Sequence, residues 1–382
     1  MNFLKITLFC CLLLPCIVAK SQNESLIDKT AVDTKKQFSS QGRYLIITAP
    51  EFESTLEPFV QYKQSIGFVV QVVNTQTTGK TNVSIKNYIQ NLYDDISTRP
   101  KFVLLVGDVA HIPAYQGNSS GKIKKDPITD LGYSLLEGDD LFADVFLGRF
   151  SVENSAQLKN IIDKTIFMEK NMHGFDKNAL LLTADEKKGV WNRTYMRNSF
   201  KKVNHNIVKQ GLLHNEYEFQ VLNQPDKKEV MNALNKNPVL LVYSGHGSFI
   251  SFAGKTFEWE NRDISAVKNT IFPFVFAFSC KTGNYAQTCI GEHFIRAHEK
   301  GGVAYFGSSV NTQTNSDPIV AKKIFSVFFS KDVGYLSEII NIGKKNYFNS
   351  LGVCKKKKEI YLKSFNLLGD PSFNVKGVEP KY

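Results

Sequence analysis

The stretch PVLLVYSGHGS (residues 238–248) is an apolar run that stops abruptly at Ser244, Gly245, His246, Gly247 and Ser248. A short apolar run rich in Val and Leu and bounded by turn residues reads as a buried strand. FPFVFAFSC (272–280) is a second run of this kind and ends in Cys280. Both are apolar throughout rather than alternating, as expected of a sheet covered on its two faces. Working outward, RYLIITA (43–49), FVVQVV (68–73), KFVLLVGD (101–108), DVFLGRF (144–150), ALLLTAD (179–185), YEFQVL (217–222) and GGVAYFGSS (301–309) read as further strands. Helical patterns lie between them near 53–66, 82–98, 155–171, 191–210, 288–299 and 316–330. Strands alternating with helices predict an α/β fold with a mainly parallel sheet. In such sheets ligands bind beyond the carboxyl ends of the strands, which singles out Asp185, His246 and Cys280.

The 382 residues suffice for two domains of ~150 residues or one large α/β domain. The expected division is a signal segment over 1–21, a polar leader over 22–42, an α/β subdomain over 43–175 and a second over 176–382. MNFLKITLFCCLLLPCIVAKSQ places a lysine before an apolar run and small residues at Ala19 and Ser21. This is the pattern of an export signal, and the run is shorter than the ~20 residues of a membrane span. Pro15 before Cys16 fits a lipidation site poorly, and no later segment predicts a transmembrane helix. Three of six cysteines lie in the signal; Cys280, Cys289 and Cys354 remain, so at least one thiol should be free. The formal charge of +11 falls to +9 once Lys5 and Lys20 are removed. It forms no stripe of arginines and aromatics, which argues against a nucleic-acid partner. Lys355–Lys358 read as a solvated edge or loop.

Three strand ends offer three chemical roles. A thiol near its ordinary pKa of about 8.5 is mostly protonated at neutral pH and needs a base to become a nucleophile. An imidazole can take that proton and later deliver it to a leaving amine, and a carboxylate on its far nitrogen fixes the tautomer. Cys280, His246 and Asp185 supply one group for each role. Gly247 lacks a Cβ, so its N–H and that of Cys280 could converge on a substrate carbonyl as an oxyanion hole. Read alone, His246 between two glycines at a strand end reads as a turn residue. A phosphate loop is disfavoured because Ser248, Phe249 and Ile250 complete neither glycine-rich motif. A metal site is disfavoured as well: His293 and His298 are five apart, off the shared helix face that zinc requires.

VYSGHGS, the strand ending in FSC, CIGEHFIRAHEKGGVAYFGSS and FNLLGDPSF together resemble the gingipain-type cysteine peptidases, their lysine-specific kind above all. The resemblance runs from about Arg43 to Pro380 and includes LLVGD and ITDLGYSLLEGDDLFADVFLGRFS. It implies a caspase-like fold of two side-by-side α/β subdomains. It also implies a secreted endopeptidase acting on proteins or peptides through nucleophile Cys280, general acid/base His246 and third member Asp185, with an oxyanion hole from the amides of Gly247 and Cys280. No cofactor is implied for the chemistry, although a structural calcium ion occurs in some relatives. Asp317 falls where the lysine-specific kind pairs with a substrate lysine, so a preference for Lys or Arg is implied; Asp317 before Pro318 equally suits a helix start. HGSF with Phe249 and Phe252, and Thr314 where a lid tryptophan would stand, depart from the family pattern. The short leader and the stop after GVEPKY suggest a bare catalytic unit. Two other readings are a transpeptidase that passes the thioester to an amine, and a catalytically silent binding module.

Overall fold

A computed structural model describes residues 41–116, 127–184, 193–214, 216–253, 258–330 and 332–377. Ten strands form its main sheet: β1 (Gly42–Thr48), β2 (Phe68–Asn74), β3 (Phe102–Val106), β4 (Phe146–Phe150), β5 (Asn178–Thr183), β6 (Glu218–Asn223), β7 (Leu240–Ser244), β8 (Phe274–Phe278), β9 (Ala304–Ser308) and β10 (Phe365–Leu368). Their spatial order is β2-β1-β3-β4-β10-β9-β8-β7-β5-β6. Every neighbouring pair is parallel except β9 with β10. Strands β1–β4 and β5–β9 are therefore two side-by-side parallel blocks that run in opposite directions. β10 lies between them, parallel to β4 and antiparallel to β9.

The apolar strands behave as their composition predicts. In β8, Phe274, Phe276 and Phe278 pack into one core, while Val275 and Ala277 enter the core on the opposite face. Along β7, Leu240 and Val242 separate from Leu241 and Tyr243 in the same way. Period-two side-chain direction thus feeds two cores from one strand. The helix read over 155–171 spans Ser155–Asn171, with Asn154 accepting from the Gln157 amide at its start. It buries Leu158, Ile161, Ile162, Thr165 and Met168.

The main sheet also takes in a C-terminal stretch that makes no periodic pattern in the sequence. Helices Leu336–Phe348 and Lys355–Ser364 precede β10, and β10 itself has only four residues. Lys355–Lys358 are not a loop: they form the first turn of a helix whose inner side buries Tyr361 and Leu362. Lys355 and Lys356 are exposed, whereas Lys358 reaches back to donate to the Ser350 carbonyl and lies over the Phe348 ring.

A buried ion cluster ties separate elements together. Lys63 Nζ lies 2.6 Å from both Glu169 Oε2 and Asp370 Oδ2, and Tyr44 donates to Asp370 Oδ1 at 2.7 Å. Burial alone would lower the Lys63 pKa, but the two carboxylates raise it. Among the described residues no helix is long and apolar enough to cross a membrane.

Candidate functional site

The register of three adjacent strands levels the site. Thr183 of β5 pairs with Ser244 of β7, and Ser244 pairs with Phe278 of β8. His246 and Cys280 each stand two residues beyond that shared level. Asp185, two residues beyond Thr183, lies outside the described residues. Ala184 is described, and a Cβ on Gly245 would come within 2.6 Å of its side chain, so the ends of β5 and β7 touch there.

After β7 the chain turns into a small antiparallel sheet in which His246 pairs with Ala253 and Gly247 with Phe252. Tyr243 supports this turn: its hydroxyl donates to the His246 carbonyl and accepts from the Ala253 amide, and its ring stacks on Phe252 at 4.1 Å. Phe200 meets the imidazole edge-on at 5.5 Å.

Gly247 shows how closely the histidine turn approaches the cysteine loop. A Cβ there would stand 2.2 Å from Ser279 Oγ, 2.7 Å from Thr282 Cγ2 and 3.0 Å from the Cys280 carbonyl oxygen. Only a residue without a side chain permits that contact. The cysteine loop is itself bent by Lys281, which adopts a left-handed φ of 59°, and is pinned by Lys281 N–H to the Val310 carbonyl at 2.9 Å. The short helix Ile290–Arg296 couples the two loops. The Ile290 amide donates to the Phe249 carbonyl at 2.7 Å and the Gly291 amide to the Thr282 carbonyl at 3.2 Å.

Burial pushes the Cys280 thiol above its ordinary pKa. The Thr312 amide acts against that shift, the Asp317 charge adds to it, and a hydrogen bond from the Thr312 hydroxyl and the charge of Lys281 oppose it. A resting thiol in this environment keeps its proton, so attack requires a base close by. The other two cysteines among the described residues are also free: Cys289 is fully buried and Cys354 exposed.

Asp317 is the first residue of helix Asp317–Phe328, after Ser316, and is only 1% exposed. Tyr361 donates to its Oδ1 at 2.7 Å and Thr312 to its Oδ2 at 3.0 Å. Burial pushes its pKa up to about 7, against the pull of those two hydrogen bonds. Thr312 Oγ1 also lies 4.0 Å from Cys280 Sγ. Thr312 and Tyr361 carry no sequence signal, because neither belongs to a motif and they converge from a loop and a distant helix. His293 is half-buried and its pKa is lowered by that burial, whereas His298 is mostly exposed. For the calcium ion that the resemblance allows, no group of three or more His, Cys, Asp or Glu side chains able to hold a metal occurs among the described residues.

Residues 38–376 match the model of peptidase family C25. Lys-gingipain HG66 of Porphyromonas gingivalis is 29% identical over 304 residues, which cover 76% of this chain and 17% of that protein. Gingipain R2 of the same species is 26% identical over 363 residues, covering 91% of this chain and 48% of that protein. The chain thus spans about half or less of the length of these curated relatives. The crystal structure of the Arg-specific cysteine proteinase gingipain R superposes with a TM-score of 0.75 at 24% identity, over 89% of this chain and 79% of that one. It shares the caspase-like α/β fold expected from the sequence.

Proposed function

The chain belongs to peptidase family C25, the gingipain-type cysteine peptidases, and on that premise we propose that it is an exported cysteine endopeptidase working through Cys280 and His246. One observation carries the reading. Gly247 packs directly onto Ser279, Cys280 and Thr282, so the histidine turn and the cysteine loop form one surface.

In the proposed cycle His246 removes the Cys280 proton as Sγ bonds to the carbonyl carbon of the scissile peptide. The carbonyl electron pair moves to oxygen, where the amides of Gly247 and Cys280 stabilise it. Collapse breaks the C–N bond, and His246 returns the proton to the departing amine. Water, deprotonated by His246, then cleaves the thioester and restores the thiol. Asp185 would hold the imidazole tautomer from the end of β5. Asp317 would favour Lys or Arg before the scissile bond; its buried carboxyl, one hydroxyl away from the thiol, supports that preference. The signal pattern over 1–21 supports export.

The test is hydrolysis of a fluorogenic panel with Lys, Arg, Asp or Asn before the scissile bond, by the wild type, Cys280→Ala and Asp317→Ala. Hydrolysis that survives Cys280→Ala refutes the nucleophile. A basic preference that is missing, or that survives Asp317→Ala, refutes the specificity. An added amine nucleophile distinguishes hydrolysis from transfer, because a mass increment on the acyl product marks a transpeptidase.

A further inference from the structure

Thr312 stands between two acids and has one hydroxyl proton. Its oxygen is 3.0 Å from Asp317 Oδ2 and 4.0 Å from Cys280 Sγ, and it is the group that bridges them. The other carboxyl oxygen is already committed, since Tyr361 donates to Oδ1 at 2.7 Å and is itself held by the Gln313 amide at 2.7 Å. We infer that Thr312 is a positioning residue which couples Asp317 to the nucleophile: its proton goes to the carboxylate or to the thiolate, never to both. The inference rests on the reading of Cys280 as nucleophile.

When Asp317 is ionised, Thr312 donates to it and turns a lone pair toward Sγ, which favours the protonated thiol. When Asp317 is neutral, its own O–H can donate to Thr312, and the Thr312 proton is free to stabilise a thiolate. A substrate ammonium or guanidinium that engages Oδ2 would release Thr312 in the same way. Binding of a basic residue would then raise the thiolate share at the moment of attack. Among the described residues the charged and titratable groups around the pair are few. Cys280 faces Lys281 and Asp317, with Tyr243 beneath it and His246 on the adjoining turn; Asp317 faces Tyr361 and Tyr347. Burial raises Asp317 to about 7 and raises Cys280 as well.

The test is the rate of Cys280 alkylation by iodoacetamide against pH, with the modified peptide identified by mass because Cys354 also reacts. It is run on the wild type, Asp317→Asn, Thr312→Val, Thr312→Ser and the Asp317→Asn/Thr312→Val double variant. Asp317→Asn should lower the midpoint by about one pH unit. In the Thr312→Val background the same change should lower it by less than half as much. Equal displacement in both backgrounds means that charge alone acts through space, and overturns the coupling. Thr312→Ser keeps the hydroxyl and should match the wild type; a profile like that of Thr312→Val overturns it as well. Should Asp317→Asn not fold, Thr312→Val alone decides. Loss of the lone pair should speed alkylation about threefold near pH 8, whereas slower alkylation would show Thr312 to be a plain donor to the thiolate. A Cys280 that resists alkylation at every pH while Cys354 reacts refutes the nucleophile itself and removes the basis of the coupling.

Discussion

Gly247→Ala adds one methyl group at the point where the proposed acid/base turn meets the nucleophile loop. That methyl would stand 2.2 Å from Ser279 Oγ and 3.0 Å from the Cys280 carbonyl oxygen, against normal contacts of about 3.4–4 Å. The Ser279 hydroxyl could rotate away, but the carbonyl is backbone and cannot. The two loops must therefore separate by several tenths of an ångström or more. Overpacking of this kind costs ~1–3 kcal/mol of stability. Displacing one oxyanion donor costs ~3 kcal/mol in the transition state, which is roughly 100- to 1,000-fold in kcat. The assay is kcat and KM on a cleavable peptide, together with Tm and the rate of Cys280 alkylation. The expected pattern is a collapse of kcat, a modest fall in Tm and continued alkylation of the thiol. Adding Ser279→Ala should relieve part of the clash and restore part of the stability, but little of kcat. A Gly247→Ala enzyme with wild-type kcat would show that the donor is not at this amide, and the assignment would fail.

Other perturbations test the electrostatics. Asp317 has an ordinary pKa of 3.8 and about 7 in the fold, so between those values the folded chain holds a proton that the unfolded chain has lost. Its contribution to stability is full below 3.8 and disappears as pH rises through 7, a span of about three units at ~1.4 kcal/mol each. Asp317→Asn should therefore raise stability relative to the wild type by up to ~4 kcal/mol at pH 8, with little change near pH 3.5; chemical denaturation at both pH values measures it. Lys63→Met leaves Glu169 and Asp370 facing each other without a cation. The expected loss is ~3–5 kcal/mol at pH 8 and less at pH 5, where Glu169, pushed up by burial and by the charge of Asp370, takes up a proton. An unchanged Tm at pH 8 would refute that account. Arg149→Lys should also destabilise the fold, because Asp130 accepts two guanidinium hydrogen bonds at 2.7 Å and three backbone carbonyls share the remaining nitrogen; equal urea midpoints would argue otherwise.

What the sequence disclosed follows from where its signals are local. Nine strands were visible because Val, Leu and Phe runs end at turn residues, and the rule about carboxyl ends led from those runs to His246 and Cys280. The tightness around Gly247 was only suggested, since a glycine beside a histidine also suits a turn. Phe365–Leu368 went unread because four residues containing Asn366 make no periodic pattern. Their pairing is decided by the strands on either side. Lys355–Lys358 misled because charge suggests solvent and says nothing of backbone conformation. Asp317 was named, but its enclosure by Thr312 and Tyr361 arises from residues far apart in the chain, which no spacing rule connects.

The position of β10 bears on the order in which the chain can assemble. Residues 365–368 fill the slot between β4 and β9, and they follow every other strand among the described residues. During synthesis each block can form its own parallel pairs, yet the interior edges of both stay open until those residues arrive. A chain cut before Phe365 should keep helices and local strand pairs while exposing two unpaired edges, a form prone to aggregation and easily digested.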